Sequence, residues 1–113
     1  MTAKEMLKMM PQVFNSQAAA NVNAVIQYDI SEPIYHVIKN GTVEVHEGQA
    51  DNPNVTITIS DGDLAKLLKG ELNGMTAFMS GKLKLKGDMM LAQRLASFVD
   101  RLALSKAEGS KPL

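Results

Sequence analysis

The sequence contains no cysteine and no tryptophan, only three Phe and two Tyr, and no excess of either charge: Lys plus Arg and Asp plus Glu are 12 each in 113 residues. Without cysteine there is no disulfide scaffold, no thiolate metal site and no cysteine nucleophile, and a reducing compartment is expected. A formal net charge of zero removes the field that draws nucleic-acid binders to phosphate. None of the aromatics interleaves with the lysines as a base-stacking platform requires, so no nucleic-acid partner is expected. No apolar run approaches the roughly 18 residues needed to cross a bilayer, and the start of the chain lacks the apolar core of a signal peptide. A soluble, cytoplasmic protein is the expectation.

Catalytic and metal-binding constellations are missing as well. His36 and His46 are the only histidines, and the hairpin register given below points them to opposite faces, so they cannot share a metal. His36 is read as a hydrogen-bonded structural residue. Asp61 and Asp63 bracket a glycine, but the residues that follow lack the oxygen ligands of a calcium loop, and helix capping accounts for them. Gly81-Lys82 is followed by Leu83, which fails the phosphate-loop pattern. There is no Gly-x-Ser-x-Gly turn, and Ser80 has no identifiable base. No cofactor, no metal and no catalytic residue is expected, hence no enzyme.

What is present is a soft aliphatic composition: hydrophobic residues are 45% and aromatics 4%, against eight Met. A chain of this length fits one domain, read as residues 1–104 followed by a flexible tail at 105–113. Thr2 and Glu5 have the spacing of a capping box, and Met6, Leu7, Met10, Val13 and Phe14 then recur at helical spacing. Pro11 interrupts that pattern, which predicts a kink or two abutting helices. From Val22 to beyond Tyr28 the period changes to two, with Val22, Ala24, Ile26, Tyr28 and Ile30 on one face.

Asn40-Gly41 is a two-residue hairpin turn joining strands Ile34–Lys39 and Thr42–Glu47. It sets Ile38 opposite Val43 and His36 opposite Val45 on the core face, with Lys39–Thr42 and Val37–Glu44 on the other. Val55, Ile57 and Ile59 form a fourth strand, and four sequential strands suggest a meander. Ser60 and Asp63 then start a helix that Gly70 can end in the left-handed conformation. Asn73-Gly74 opens a second short helix carrying Met75, Phe78 and Met79. Residues 81–87 alternate strictly between charged and apolar side chains and form the fifth strand, reached by a helical crossover that permits a parallel neighbour. Asp88 caps a last helix with Leu91, Leu95, Phe98, Val99 and Leu102 in one stripe.

Apart from the initiator, the methionines fall only in predicted helices: Met6, Met9 and Met10, then Met75, Met79, Met89 and Met90 around the fifth strand. Methionine is unbranched and adaptable and suits a surface that closes over variable apolar shapes. It equally suits an ordinary core. A pocket of at least about 300 Å³ left empty would cost on the order of 7 kcal/mol, so a cavity here calls for a ligand, water or mobile side chains. Each buried methylene supplies about 0.8 kcal/mol, so a long acyl chain brings gross apolar energy of order 10 kcal/mol.

The series Val25-Ile26-Gln27-Tyr28-Asp29-Ile30, Asn40-Gly41 through Gly48, Asn52-Pro53-Asn54 through Asp61, and Ala77-Phe78-Met79-Ser80-Gly81 through Asp88 resembles the sterol carrier protein type 2 domain family over nearly the whole chain. The resemblance implies an α+β fold: a five-stranded, mostly antiparallel sheet covered on one face by helices, with an apolar tunnel between the layers. It implies a non-catalytic carrier that takes a fatty acid, fatty acyl-CoA, sterol or phospholipid chain reversibly. By position in that plan, Val13, Phe14, Met75, Phe78, Met79, Met89, Met90, Leu91, Leu95 and Phe98 are expected to line the tunnel. Gln93 matches a position where relatives can offer a polar group to the ligand, whereas the helical wheel sets it beside Ser97 and Asp100 on the polar face.

Peroxisomal members end in Ser-Lys-Leu or Ala-Lys-Leu; here Lys111-Pro112-Leu113 breaks that address, which favours a cytoplasmic, bacterial protein. Lys82, Lys84 and Lys86 share a strand face that a membrane surface or CoA phosphate would attract, or that is simply solvated. The alternative function is an accessory domain docking through the same apolar face onto a lipid-modifying enzyme or onto itself, so transient membrane contact and a homodimer stay open as partners.

Overall fold

The computed structural model describes residues 2–100, 102–104 and 106; the predicted tail lies, Lys106 apart, outside them. The first helix, α1 (Ala3–Lys8), starts at the predicted capping box, with Thr2 Oγ1 accepting from Glu5 N and Glu5 Oε1 accepting from Thr2 N. Pro11 does not kink it. A separate helix, α2 (Met10–Val13), begins one residue before the proline, which occupies the first turn where no intrahelical donor is needed.

Five strands follow: β1 (Asn23–Asp29), β2 (Ile34–Lys39), β3 (Thr42–Glu47), β4 (Val55–Ile59) and β5 (Leu83–Gly87). The β2–β3 hairpin has the predicted register throughout. Asn40 and Gly41 both take positive φ, 45° and 85°, the conformation of a two-residue turn whose twist matches the strands. The meander does not form. Strand order is β3-β2-β1-β4-β5, with β4 parallel to β1 and β5 antiparallel to β4. The parallel neighbour expected of β5 is thus found one connection earlier.

Residues 48–54 make that connection, crossing from the β3 edge to the far side of β1. They cross on the outer face, where Gln27 holds them: its Nε2 donates to Gly48 O (3.1 Å) and its Oε1 accepts from Ala50 N (2.7 Å). This is why Gln27, on the polar side of the alternation, is 1% exposed. Asn54 closes the crossing by exchanging hydrogen bonds with Val25 N and O, each 2.8 Å.

The helices cover the other face, and α3 (Asp61–Lys69), α4 (Gly74–Met79) and α5 (Met89–Phe98) complete the layer. Ser60 Oγ accepts from Asp63 N at the start of α3, and Gly70 ends it at φ 81°. Asp61 does not cap; its carboxylate accepts from the backbone and hydroxyl of Ser31 in the β1–β2 turn. Between the layers lie Met6, Leu7, Ile26, Tyr28, Ile34, Ile38, Ile57, Leu64 and Phe98, all 1% exposed or less. The predicted stripe on the last helix holds for Leu91, Leu95, Phe98 and Val99, but α5 stops at Phe98. Leu102 is 67% exposed and Leu104 is buried in its stead. The helix stops because residues 98–100 run alongside residues 13–15: Asn15 N donates to Phe98 O, and Asp100 N to Val13 O, each at 2.7 Å.

Candidate functional site

A cavity of about 470 Å³ opens between the sheet and the C-terminal helices. Ile57 of β4 with Leu83 and Leu85 of β5 form its floor, since alternation puts these three on the helix-facing side and Lys84 and Lys86 on the other. One wall is Leu67 and Leu68 of α3 with Gly70 and Leu72. The left-handed Gly70 reverses the chain so that Leu72 N reaches Lys66 O, bringing Leu72 back over the helix end. Asn73, Gly74, Met75 and Phe78 form the second wall, at the start of α4. The third is Met89, Ala92, Gln93 and Leu95 of α5, with Val99.

Asn73 Oδ1 accepts from Met75 N and Thr76 N at 2.9 and 3.2 Å, and Asp88 Oδ1 from Leu91 N at 3.1 Å. These side chains fix where the two upper jaws begin. The mouth lies where wall residues reach solvent: Met75 is 60% exposed, and Phe78 and Met89 are each 42%. Neighbouring Met79 and Met90 are still more exposed but do not border the cavity. Met90, with Leu91 and Arg94, borders a second cleft of about 210 Å³ beside β1, so α5 lies as a bar between two openings.

Among the described residues, no Asp, Glu, Lys, Arg or His borders the main cavity, and Asn73 and Gln93 are the only amide side chains on it. The side-chain amide of Gln93 makes no hydrogen bond among the described residues. It is exposed, as the helical wheel has it, yet it stands on the cavity wall, because the wall rises to the rim of the helix. No described cluster of three or more His, Cys, Asp or Glu could hold a metal. Such a cleft offers apolar area and two neutral amides; it offers no nucleophile, acid or base.

Of the residues singled out in the sequence, the structure brings Met75, Phe78, Met89, Gln93 and Leu95 together on this cavity. Val13, Leu91 and Phe98 are buried outside its wall, and Phe14 packs on Phe98 with ring centroids 6.0 Å apart. Met6 and Met10 belong to the core, at 1% and 2% exposure. The α3 wall and the floor residues Ile57, Leu83 and Leu85 were not among the residues expected to line the cleft. Their signal was the same alternation and helical spacing that mark ordinary core.

The one buried imidazole is away from the cleft. His36 Nε2 donates to Leu7 O at 3.0 Å and Nδ1 accepts from Tyr28 Oη at 3.1 Å, so both ring nitrogens are satisfied and the ring is neutral. Burial pushes its pKa down to about 4 and that of Tyr28 upward.

Comparison with known proteins gives a consistent likeness. The model of the SCP-2 sterol transfer family matches residues 4–100. Peroxisomal multifunctional enzyme A of Dictyostelium discoideum is 43% identical over 63 residues, which are 55% of this chain and 14% of that protein. Oleate-induced peroxisomal protein POX18 of Candida maltosa is 33% identical over 93 residues, 76% of this chain and 73% of that protein. The solution structure of palmitated SCP2L2 from Aedes aegypti superposes with a TM-score of 0.66 at 26% identity, over 86% of this chain and 93% of that one. The chain thus spans only a small part of the first of these relatives and most of the other two.

Proposed function

The chain belongs to the SCP-2 sterol transfer family, and we propose that it is a non-catalytic carrier whose cleft takes one long apolar chain of a fatty acid, acyl-CoA, sterol or phospholipid. The observation that carries this reading is an apolar cavity of about 470 Å³ with no titratable side chain among the described residues of its wall. An acyl chain entering it gains about 0.8 kcal/mol for each methylene buried, and its polar end rests at the mouth beside Gln93 rather than among unpaired charges. The palmitate carried by the Aedes aegypti relative supports this class of ligand.

Met75, Phe78, Met89, Gln93 and Leu95 are the contact residues; Phe14 and Phe98 act from behind by seating α5. The protein works in the cytoplasm. Lys84 and Lys86 share the sheet face opposite the cleft, and that basic stripe suits brief contact with an anionic membrane.

Native mass spectrometry with palmitate and palmitoyl-CoA tests the reading. Saturable one-to-one adducts of about micromolar affinity are expected. They should be lost in Phe78→Asp, which charges the wall, and kept in Met79→Asp, which charges a neighbouring exposed position off it. Absence of any adduct with the folded protein at tens of micromolar ligand would overturn the proposal.

A further inference from the structure

We propose that Met75 and Met89 form an oxidation-sensitive gate on the cleft, an inference that rests on the carrier reading above. The described methionines differ in environment, with Met9 partly buried between two extremes. Met75, Met79, Met89 and Met90 are 60%, 80%, 42% and 75% exposed, whereas Met6 and Met10 are 1% and 2%. Among the described methionines only Met75 and Met89 both reach solvent and border the cavity, one from each upper jaw, α4 and α5.

An exposed thioether reacts with peroxide, and a buried one is shielded. In the step, sulfur attacks one peroxide oxygen; an S–O bond forms as the O–O bond breaks, and the second oxygen leaves as water with both protons. Sulfur is oxidised by two electrons and hydrogen peroxide is reduced. The product exchanges a flexible apolar side chain for a polar one whose oxygen accepts hydrogen bonds.

At the mouth this change opposes an apolar ligand in two ways. It replaces apolar contact with a group that must shed water to meet the chain. It also supplies an acceptor beside Gln93, whose amide makes no hydrogen bond among the described residues and stands four positions after Met89, on the same side of α5. A sulfoxide there holds Gln93 across the entrance.

The test combines limited hydrogen peroxide treatment, peptide-mapping mass spectrometry and titration with a fluorescent palmitate analogue. Met75 and Met89 should oxidise at least about tenfold faster than Met6 and Met10. Affinity for the probe should fall at least about tenfold with the unfolding midpoint unchanged, and methionine sulfoxide reductase with a thiol reductant should restore it. A Met75→Leu/Met89→Leu variant, compared with its own untreated form whatever its starting affinity, should show no fall on treatment, whereas Met79→Leu/Met90→Leu should fall as the parent does. Unchanged affinity after complete oxidation of Met75 and Met89, or an equal loss in the Met75→Leu/Met89→Leu variant, would overturn the gate. Failure of the untreated protein to bind any probe would overturn the carrier reading and the gate with it, while the oxidation rates would still show whether the mouth methionines are selectively reactive.

Discussion

Both nitrogens of His36 are occupied inside the core, which ties α1 to the sheet through the Leu7 carbonyl and fixes a neutral ring. Its pKa is about 4 in the folded protein and about 6.5 in an unfolded chain. Between these values the unfolded chain binds a proton that the folded one does not, so stability falls as the pH is lowered through that interval. The loss reaches on the order of 3 kcal/mol and is complete below the folded value; above about pH 6.5 the contribution is flat. Glu47 and Asp61, held below the ordinary carboxylate range by hydrogen bonds from Lys4 and Ser31 respectively, add their own losses at lower pH. Urea unfolding between about pH 6.5 and about pH 5 therefore isolates the histidine. An imidazole titrating near its ordinary value in the folded protein by NMR would sink this account. Gly87 gives a second residue-level prediction. Its φ is 109° and an added Cβ would stand 2.3 Å from Asn54 O, which accepts from Asp88 N. Gly87→Ala should cost roughly 2–4 kcal/mol in the unfolding free energy, and a loss within experimental error of zero would show that the β4–β5 approach is not as tight as described.

Elements differ in how far their sequence determined them. The β2–β3 hairpin was legible to the residue because a two-residue turn leaves one register open, and a slip by one would send Ile38 and Val43 to solvent. The β1–β4 pair was not, because residues 48–54 carry no period, and what guides them is the Gln27 amide, which donates to Gly48 O and accepts from Ala50 N in a loop distant in sequence. The cleft was half legible. Met75, Phe78, Met89 and Leu95 were expected there by their position in the plan the family resemblance implies, but Leu67 and Leu72 are indistinguishable from core until the layers are assembled and a space is left between them. The layer itself is uneven. In α4 only Ala77 is buried, whereas α1 buries Ala3, Met6 and Leu7 and is anchored by His36. A helix with one buried residue opens at low cost, and the cavity wall is built from α4 and α5 but not α1, so bound palmitate should slow amide exchange most in α4, also in α5, and leave α1 unchanged. Equal protection in all three helices would place the gate elsewhere. At one of the two edges of the sheet, β5 presents Lys84 and Lys86, and pairing two copies there would bring like charges together. A Lys84→Ala/Lys86→Ala variant that dimerised by sedimentation equilibrium where the parent did not would show that these charges guard that edge.

For the molecule as a whole, a cleft of this size sets ligand capacity against stability. An empty enclosed apolar cavity of about 470 Å³ would cost of order 10 kcal/mol, comparable with the entire stability of a small domain. The fold tolerates the space because it opens at a mouth lined by unbranched methionines and because the rest of the core, from Met6 to Phe98, is closed. Filling the space should therefore be easier than making it. Ala92 lies on the α5 wall, half-buried and facing the cavity, so Ala92→Phe adds a ring where no protein atoms need be displaced. It should leave the unfolding midpoint unchanged or raise it, since burying a phenyl side chain brings about 1.5–3 kcal/mol, while palmitate affinity falls at least about tenfold. Leu95→Ala removes packing from the same wall and should cost about 2–5 kcal/mol. Opposite movement of stability and binding in Ala92→Phe is the signature of a site kept open for a ligand. If instead the ring lowered the midpoint by several degrees, the space would already be closed in solution by collapse of Met75 and Met89, and the cleft would form only as the ligand enters.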